Sequence, residues 1–504
     1  MAGKPYRNTE NRHQFSLFAD HLDQHISQDN SVRAIDVYIS SLDLKKLGAE
    51  GYQASGSLRG QPAYNPADLL RLYLYGYLNG VRSSRKLEQE CQRNIEMMWL
   101  MQHQRPSYKT IANFRKNHAE LLVRVNRDFI LLCRSLDLIG GDTVAIDGSF
   151  FHGNASKQSI QTRSKVKKQL KALEAQITQY HQTLDTCDRD DERQEQATTV
   201  SLEQLQAKQS ALMQTLDELE GSVSKQISRT DPDARLLSKG GSKVAGYNVQ
   251  SVVDERHHLI IASEVTQEGN DQKQLYPMAR QAKNLLDKEQ LTVLADAGYY
   301  ETENLHQCEE NGIIAYVPIP NKTAQLKQRE RFVPEDFDYD PEQNRYRCPN
   351  EALLNPQGQP IEKNGKFRQK YMSRSTDCDI CPLRASCLSL KGRRRSLYRS
   401  QYQQSADNHR VRMRVAGAEK MKLRASLVEH PFGTLKMRAG WQHFLVRGLK
   451  KVKGEWSLMQ VAYNFTRVLN ILGLDRFLKC CKQLQEALLA LFFMQRLDPL
   501  SHRL

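Results

Sequence analysis

Apolar positions recur at helical spacing through the first part of the chain. In PADLLRLYLYGYLNG, residues Leu69, Leu70, Tyr73 and Tyr77 share one face of a helix that opens at Pro66 and ends near Gly80. Asn30–Leu47 predicts an earlier helix, and Gly51–Asn65, rich in Gly, Pro and Ser, predicts a loop. SSRKLEQEC begins another helix with Ser83 or Ser84 as its cap, and a long helical pattern then runs from Pro106–Ser107 to Gly140–Gly141. At Thr143 the period changes: TVAIDGSFF, rich in β-branched and aromatic types, predicts a strand over Thr143–Phe151. Lys157–Lys225 sets leucines such as Leu170, Leu173, Leu212, Leu216 and Leu219 on a charged background. This predicts two amphipathic helices joined around Thr186–Thr199. Strands return at Gly246–Asp254, His258–Val265, Leu291–Tyr299 and Ile313–Ile319, with helices over Asp271–Leu286 and Thr302–Glu310. The resulting order suits a mixed sheet flanked by helices. A polar, Pro- and Gly-rich stretch follows Pro320, and helices close the chain at Ser457–Leu474, expected to pack on the sheet, and Lys482–Leu497.

At 504 residues, with 39% hydrophobic and 26% charged, the composition is that of a multi-domain globular protein. The longest uninterrupted apolar run, Ala487–Met494, falls far short of the roughly 20 residues a membrane span needs. MAGKPYRNTENRHQF lacks a secretion-signal core, so a cytoplasmic location is expected. The formal charge is +15, and it is concentrated: Lys391–Lys453 carries 17 Lys and Arg against Asp407, Glu419 and Glu429. Such a field attracts a phosphate backbone, although a solvated surface or an acidic-lipid contact has the same composition. No HExxH, GxxxxGK[ST] or GxGxxG string occurs, so the chain implies neither a zincin nor a nucleotide cofactor.

Two aspartates share one context. Asp147 follows Val144-Ala145-Ile146 and Asp296 follows Val293-Leu294-Ala295, each on or just past an apolar strand. Two carboxylates on neighbouring strands repel unless a cation compensates them, and hard divalent ions favour carboxylate oxygen. Each Asp also suits a turn, in AspGly at 147–148 and AspAlaGly at 296–298. Glu429 is the one acid between Lys420 and Lys453, on a helix that Pro431 is expected to break or kink; a salt-bridge role also fits it. Three carboxylates are enough to place two metals about 3.5–4 Å apart, an arrangement that breaks phosphodiesters by in-line attack. Mg²⁺ is the expected occupant, with Mn²⁺ able to substitute.

Cys378-x₂-Cys381 and Cys387, with Cys348 upstream, offer four ligands for structural Zn²⁺; free thiols and redox use remain open. Arg115 and Lys116, on a helix opening SerTyrLysThr, suit a helix-turn-helix reader or simple bundle packing. Arg393, Arg394, Arg395, Arg410, Arg412, Arg414, Arg424, Lys436 and Arg438 are the other phosphate-contact candidates. Trp441 and Phe444 suit core packing better than a wedge against an unpaired base.

The strings YNPADLLRLYLYGYLNGVRSSRKLEQEC, TVAIDGSFFHGNASK, GYNVQSVVD, LTVLADAGYY, CDICPLRASC and VEHPFGTLKMRAGW resemble, in that order, the DDE transposases of bacterial insertion sequences. The similar branch has an N-terminal helical domain and a cysteine-bearing segment before the catalytic Glu. The resemblance implies a ribonuclease-H-like fold, a five-stranded mixed sheet with helices on both sides. It carries the catalytic acids onto Asp147, Asp296 and Glu429. It further implies recognition of terminal inverted repeats in double-stranded DNA, strand cleavage, joining of 3′-hydroxyl ends to target DNA, and a homodimer or larger synaptic complex. It places Asp233 or Arg235 beside the site and Tyr247 with Asn248 at its mouth; the branch's usual Tyr is Met421 here. The expected division is a helical DNA-binding domain (1–140), the first part of the core (141–320, insertion 157–225), a cysteine-containing insertion (321–400) and the rest of the core (401–504). A nuclease that does not join ends, and a regulator whose carboxylates are structural, remain the alternatives.

Overall fold

The computed structural model describes residues 21–49, 63–186, 192–221, 225–239, 241–320, 331–363, 365–483 and 486. The N-terminal MAGKPYRNTENRHQF segment, most of the expected Gly51–Asn65 loop and most of Lys482–Leu497 lie outside them. The chain forms two compact units: Met1–Leu138 with Thr230–Asp233 and Leu435–Leu504, and Ile139–Arg229 with Ala234–Thr434. This differs from the expected four-part division, since the chain beyond Thr434 joins the N-terminal helices.

The first unit is helical: α1 (Val32–Ser40), α2 (Pro66–Leu78), α3 (Ser84–Arg93), α4 (Ile95–Leu100), α5 (Tyr108–Asn117) and α6 (Ala119–Ser135). Asn65 caps α2 by accepting from the Ala67 N–H, and Ser107 caps α5 by accepting from Thr110. The helix Leu449–Leu472 of this unit packs on α6 and α2 and not, as expected, on a sheet. Gly454 permits the approach, because a Cβ there would stand 2.7 Å from Ala119 Cα. Glu455 follows, fully buried, and accepts from Arg82 (3.0 Å), Tyr77 (3.2 Å) and the Leu445 and Val446 N–H groups (2.8 and 3.1 Å). Four donors on one carboxylate satisfy a charge that burial alone would forbid. Trp441 and Phe444 are buried, Trp441 edge-on to Tyr77, as core packing requires; they lie in an irregular segment, not on a helix.

The second unit is built on a sheet of β1 (Thr143–His152), β4 (Arg235–Lys239), β5 (Ser242–Asp254), β6 (Ile260–Thr266), β7 (Leu291–Leu294) and β8 (Ile313–Tyr316), in the order β4-β5-β1-β7-β8, with β6 also on β5. β5 runs antiparallel to β1, and β7 and β8 run parallel to their neighbours. The path β6-β5-β1-β7-β8 is the expected ribonuclease-H-like mixed sheet of five strands, to which β4 adds a sixth that the pattern of DARLLSK did not announce. The short ladder of β2 (Ile160–Thr162) and β3 (Gln226–Ser228) brackets α7 (Arg163–Thr186) and α8 (Glu192–Gly221). Val166, Leu170, Leu212, Leu216 and Leu219 close these two helices on each other, as their spacing predicted. Residues 187–191, within the expected join, lie outside the described ones. The remaining elements near the sheet are α9 (Leu275–Leu286) and α10 (Thr302–Glu310).

The cysteine-bearing insertion has its own five-stranded sheet of β9 (Asp338–Asp340), β10 (Arg345–Arg347), β11 (Leu353–Lys363), β12 (Lys366–Met372) and β13 (Ser396–Ser400). Phe337, Tyr346, Leu354, Tyr371 and Leu397 form its core. Two short helices, α11 (Ser375–Asp379) and α12 (Arg384–Cys387), carry Cys378 and Cys387, with Cys381 between them. The chain then enters α13 (Gln403–Gly433), which packs on β1, β7 and β8. Pro431 does not break α13. It is the third residue from the C-terminal end, where the bond lost is the one back to the Leu427 carbonyl, and a π-helical turn over Thr434–Arg438 follows.

Candidate metal centre

Strand register brings the two aspartates together. Ala145 of β1 pairs with Leu294 of β7 in parallel, and both side chains meet Leu427 and Val428 of α13. Two residues further on, Asp147 and Asp296 emerge on the same side, because strand side chains alternate with period 2. β7 ends at Leu294, shorter than its sequence pattern suggests, so Asp296 lies beyond the strand and opens a 3₁₀ turn over Ala297–Tyr299. Its Oδ1 accepts the Gly298 N–H at 2.8 Å. The turn role and the site role thus belong to one residue.

One cation spans both acids. Arg424 of α13 places Nη2 3.0 Å from Asp147 Oδ1 and 3.7 Å from Asp296 Oδ2. A charge-assisted pair of this kind offsets the repulsion between the carboxylates. Met421, one turn earlier, packs beside Ala145 and Leu294. It fills this position with apolar volume where the resembling branch has Tyr.

Glu429 lies on the same helix but is exposed. Among the described residues, no three His, Cys, Asp or Glu side chains stand together as a metal-ligand group. The fold therefore brings two of the expected acids together and leaves the third at the surface of α13, one residue beyond the buried Val428.

Sequence reasoning missed a third carboxylate. Asp271, 5% exposed, precedes α9, and its Oδ1 accepts from Asn248 Nδ2 (2.8 Å) and Gln250 Nε2 (2.7 Å). Gln250 in turn accepts from the Tyr299 hydroxyl. Burial, followed by the charges of Asp271, Asp147 and Asp296, pushes the Tyr299 phenol well above its ordinary value. Tyr299 therefore stays a protonated donor. A lone Asp in QEGNDQKQ offers no strand or motif context, so nothing local marked it.

Other expected site residues divide by environment. Arg115 is buried at 5%, donating to Tyr77 and the Arg82 carbonyl and standing 3.8 Å from Glu455, so the expectation of a phosphate contact there is corrected. Lys116, its neighbour, is exposed. Arg395 turns inward to the Cys387 and Phe332 carbonyls. Arg410 pairs with Asp407, and Arg412 with Glu309. Arg393, Arg394, Arg414 and Arg438 are exposed, and Lys436 is half-buried. Asp233, expected beside the site, instead accepts the Leu449 N–H at 2.8 Å, while Asp231 accepts that of Gly448 at 2.9 Å. Together they cap the helix Leu449–Leu472. Arg235 donates to the neighbouring Ala234 carbonyl, and Tyr247 is wholly buried.

Cys348, Cys378, Cys381 and Cys387 line one cavity of about 20 Å³. The Cys381 N–H donates to the Cys378 carbonyl, and that of Glu351 to Cys348, so each arm turns back sharply at its cysteine. Burial, and then the other three cysteines, push the Cys387 thiol up, while Arg395 opposes them. The four thiols line this small space without standing together as a ligand group, and thiolates are the donors that select a soft cation.

Comparison with known families gives two matches: the Transposase domain (DUF772) over residues 20–117 and the Transposase DDE domain over residues 140–465. No curated protein matches the chain. The cryo-EM structure of piggyBac transposase synaptic complex with hairpin DNA is similar at a TM-score of 0.32 and 9% identity, over 93% of this chain and 82% of that one, a likeness too slight to bear on function. No helix among the described residues is long and apolar enough to cross a membrane. With Asp147 on β1 and Asp296 just beyond the parallel β7 meeting at Arg424 in a ribonuclease-H-like sheet, and a family match over residues 140–465, the chain belongs to the DDE transposases.

Proposed function

We propose that this protein cleaves phosphodiester bonds at the terminal inverted repeats of its own element and joins the freed 3′-hydroxyl ends to target DNA. The observation that carries the reading is the convergence of Asp147 and Asp296 under Arg424. Asp147, Asp296 and Glu429 would hold divalent metal, Mg²⁺ or Mn²⁺. The donor set fits, since two carboxylates already share a compensating cation at the sheet edge. When bound, such ions activate a water or a 3′-hydroxyl and stabilise the leaving oxygen.

The protein's own residues supply the rest. Asp147 and Asp296 hold the negative charge that fixes where a cation sits. Arg424, which spans both aspartates, would pair with a phosphate oxygen of a strand bound beside them. Glu429, exposed on α13 between the buried Leu427 and Val428 and the buried Pro431 and Phe432, would join the set from the same helix as Arg424. Lys116, Arg393, Arg394, Arg414, Lys436 and Arg438 position the duplex through its phosphates. Because two ends must be handled together, the active form is a dimer or larger complex. Cys348, Cys378, Cys381 and Cys387 would bind a structural Zn²⁺ that tethers α11 and α12 to β10; about one zinc per chain after purification without added metal is the expected result, and none is the contrary one.

The deciding assay supplies end-containing DNA, target DNA and Mg²⁺. Asp147→Asn, Asp296→Asn and Glu429→Gln should each abolish cutting and leave end binding largely in place. Near-wild-type cutting by one variant removes that residue from the set, and cutting without joined products reassigns the protein as a nuclease.

A further inference from the structure

We propose that Asp271 is a positioning residue of this pocket: a third buried carboxylate, held by Gln250 and Asn248, whose charge draws the divalent cation to Asp147 and Asp296. The inference rests on the reading of those two aspartates as metal ligands.

The approach is built into the backbone. Gly148 lies on the face of β1 opposite Asp147, cross-strand from Gln250. A Cβ at Gly148 would stand 2.7 Å from Asp271 Oδ1, so only glycine lets this carboxylate reach the strand from behind. Beyond the tip of β7, a Cβ at Gly298 would lie 2.9 Å from Asp296 Oδ1 and 3.7 Å from Asp271 Oδ2. The open end of the sheet thus brings oxygens of Asp296 and Asp271 to one small space from opposite faces. Two amide donors fix Asp271 Oδ1, which directs Oδ2 toward that space.

Asp271 thus approaches Asp296 from behind, while Arg424 contributes one positive charge to Asp296 and Asp147 on the front. Two buried polar atoms in the same network add to the case. Ser251, cross-strand from Asp147 and so on its face, is 1% exposed, and its Oγ takes no hydrogen bond among the described residues. Asn248, wholly buried, likewise leaves Oδ1 without a partner. Carboxylate oxygens beside these two unused oxygens suit a hydrated divalent cation, whose affinity follows the number of charged groups around it.

The test is Mn²⁺ binding to the full chain without DNA, read from the electron paramagnetic resonance of free Mn²⁺, alongside thermal unfolding in EDTA. Asp271→Asn should weaken Mn²⁺ binding by about tenfold or more, since one negative charge beside the ligands is removed. Its melting temperature in EDTA should hold or rise, because repulsion is relieved while Asn Oδ1 still accepts from both amides. Gln250→Met, which removes one orienting amide at similar length, should lose several-fold in affinity, and it decides the matter if Asp271→Asn does not fold. Wild-type Mn²⁺ affinity in Asp271→Asn, or a lower melting temperature with unchanged affinity, overturns the inference and makes Asp271 merely structural. Failure of Asp147→Asn to weaken binding, or no Mn²⁺ bound by the wild type, overturns the metal reading of the pair itself.

Discussion

His409 of α13 is wholly buried, and its Nε2 accepts the Val317 N–H at 3.2 Å, so the ring is neutral in the fold. Burial, with Arg412 and Arg410 nearby, pushes its pKa down to about 4 from an ordinary 6.5. A folded value below the unfolded one means that stability is complete above pH 6.5 and declines as pH falls toward 4, by roughly 3 kcal/mol at most. His409→Gln should flatten this part of a stability–pH curve measured by urea unfolding; an unchanged slope would assign the loss to other groups. Arg115 makes the complementary case. Its sequence context beside Lys116 suggested a phosphate contact, yet its guanidinium is committed to Tyr77 and the Arg82 carbonyl. Arg115→Ala should therefore lower the melting temperature, whereas Arg414→Ala should leave it alone and reduce the salt slope of DNA binding by about one. The reverse pattern in melting curves and salt titrations would restore Arg115 as a contact. Nothing in a linear sequence distinguishes a buried arginine from an exposed one when the buried partner, Glu455, lies 340 residues away in the chain.

At the scale of elements, most helices and strands were legible because their apolar periods are strong. Thr302–Glu310 falls where the pattern placed it, and the leucines of 157–225 close α7 on α8. The errors lie at ends and junctions. The long pattern after Ser107 divides at His118 into α5 and α6, and Leu291–Tyr299 yields a strand of only four residues. In each case local hydrogen bonding prevails over hydrophobic pattern: Asp296 captures the Gly298 N–H and turns the chain out of the sheet. The cap on Leu449–Leu472 escaped notice because Asp231 and Asp233 come from more than 200 residues upstream. Asp233→Ala should cost about 1 kcal/mol as a lost cap. Glu455→Ala, within the helix, should cost about 3–5 kcal/mol because Arg82 and Arg115 lose their shared anion. Equal effects of the two in chemical denaturation would contradict this ranking.

For the whole molecule, the amino-acid order alone determined a strand and helix sequence suited to a mixed sheet and the separation of a helical region from that core, and the family resemblance made it ribonuclease-H-like. It also singled out Asp147 and Asp296, because these depend on short-range period and on like contexts repeated after two apolar runs. The basic strip of 391–453 was equally plain as composition, but not its distribution, for Arg395, Arg399, Arg410 and Arg412 are spent on carbonyls and acids within the fold. Only the tertiary structure decided that one arginine spans the two aspartates, that Glu429 is exposed, and that Asp271 reaches the same place past two glycines. Periodicity records which side of an element faces the core. It carries no record of which distant element meets it there, because the energy of a charge is set by neighbours in space and not in sequence.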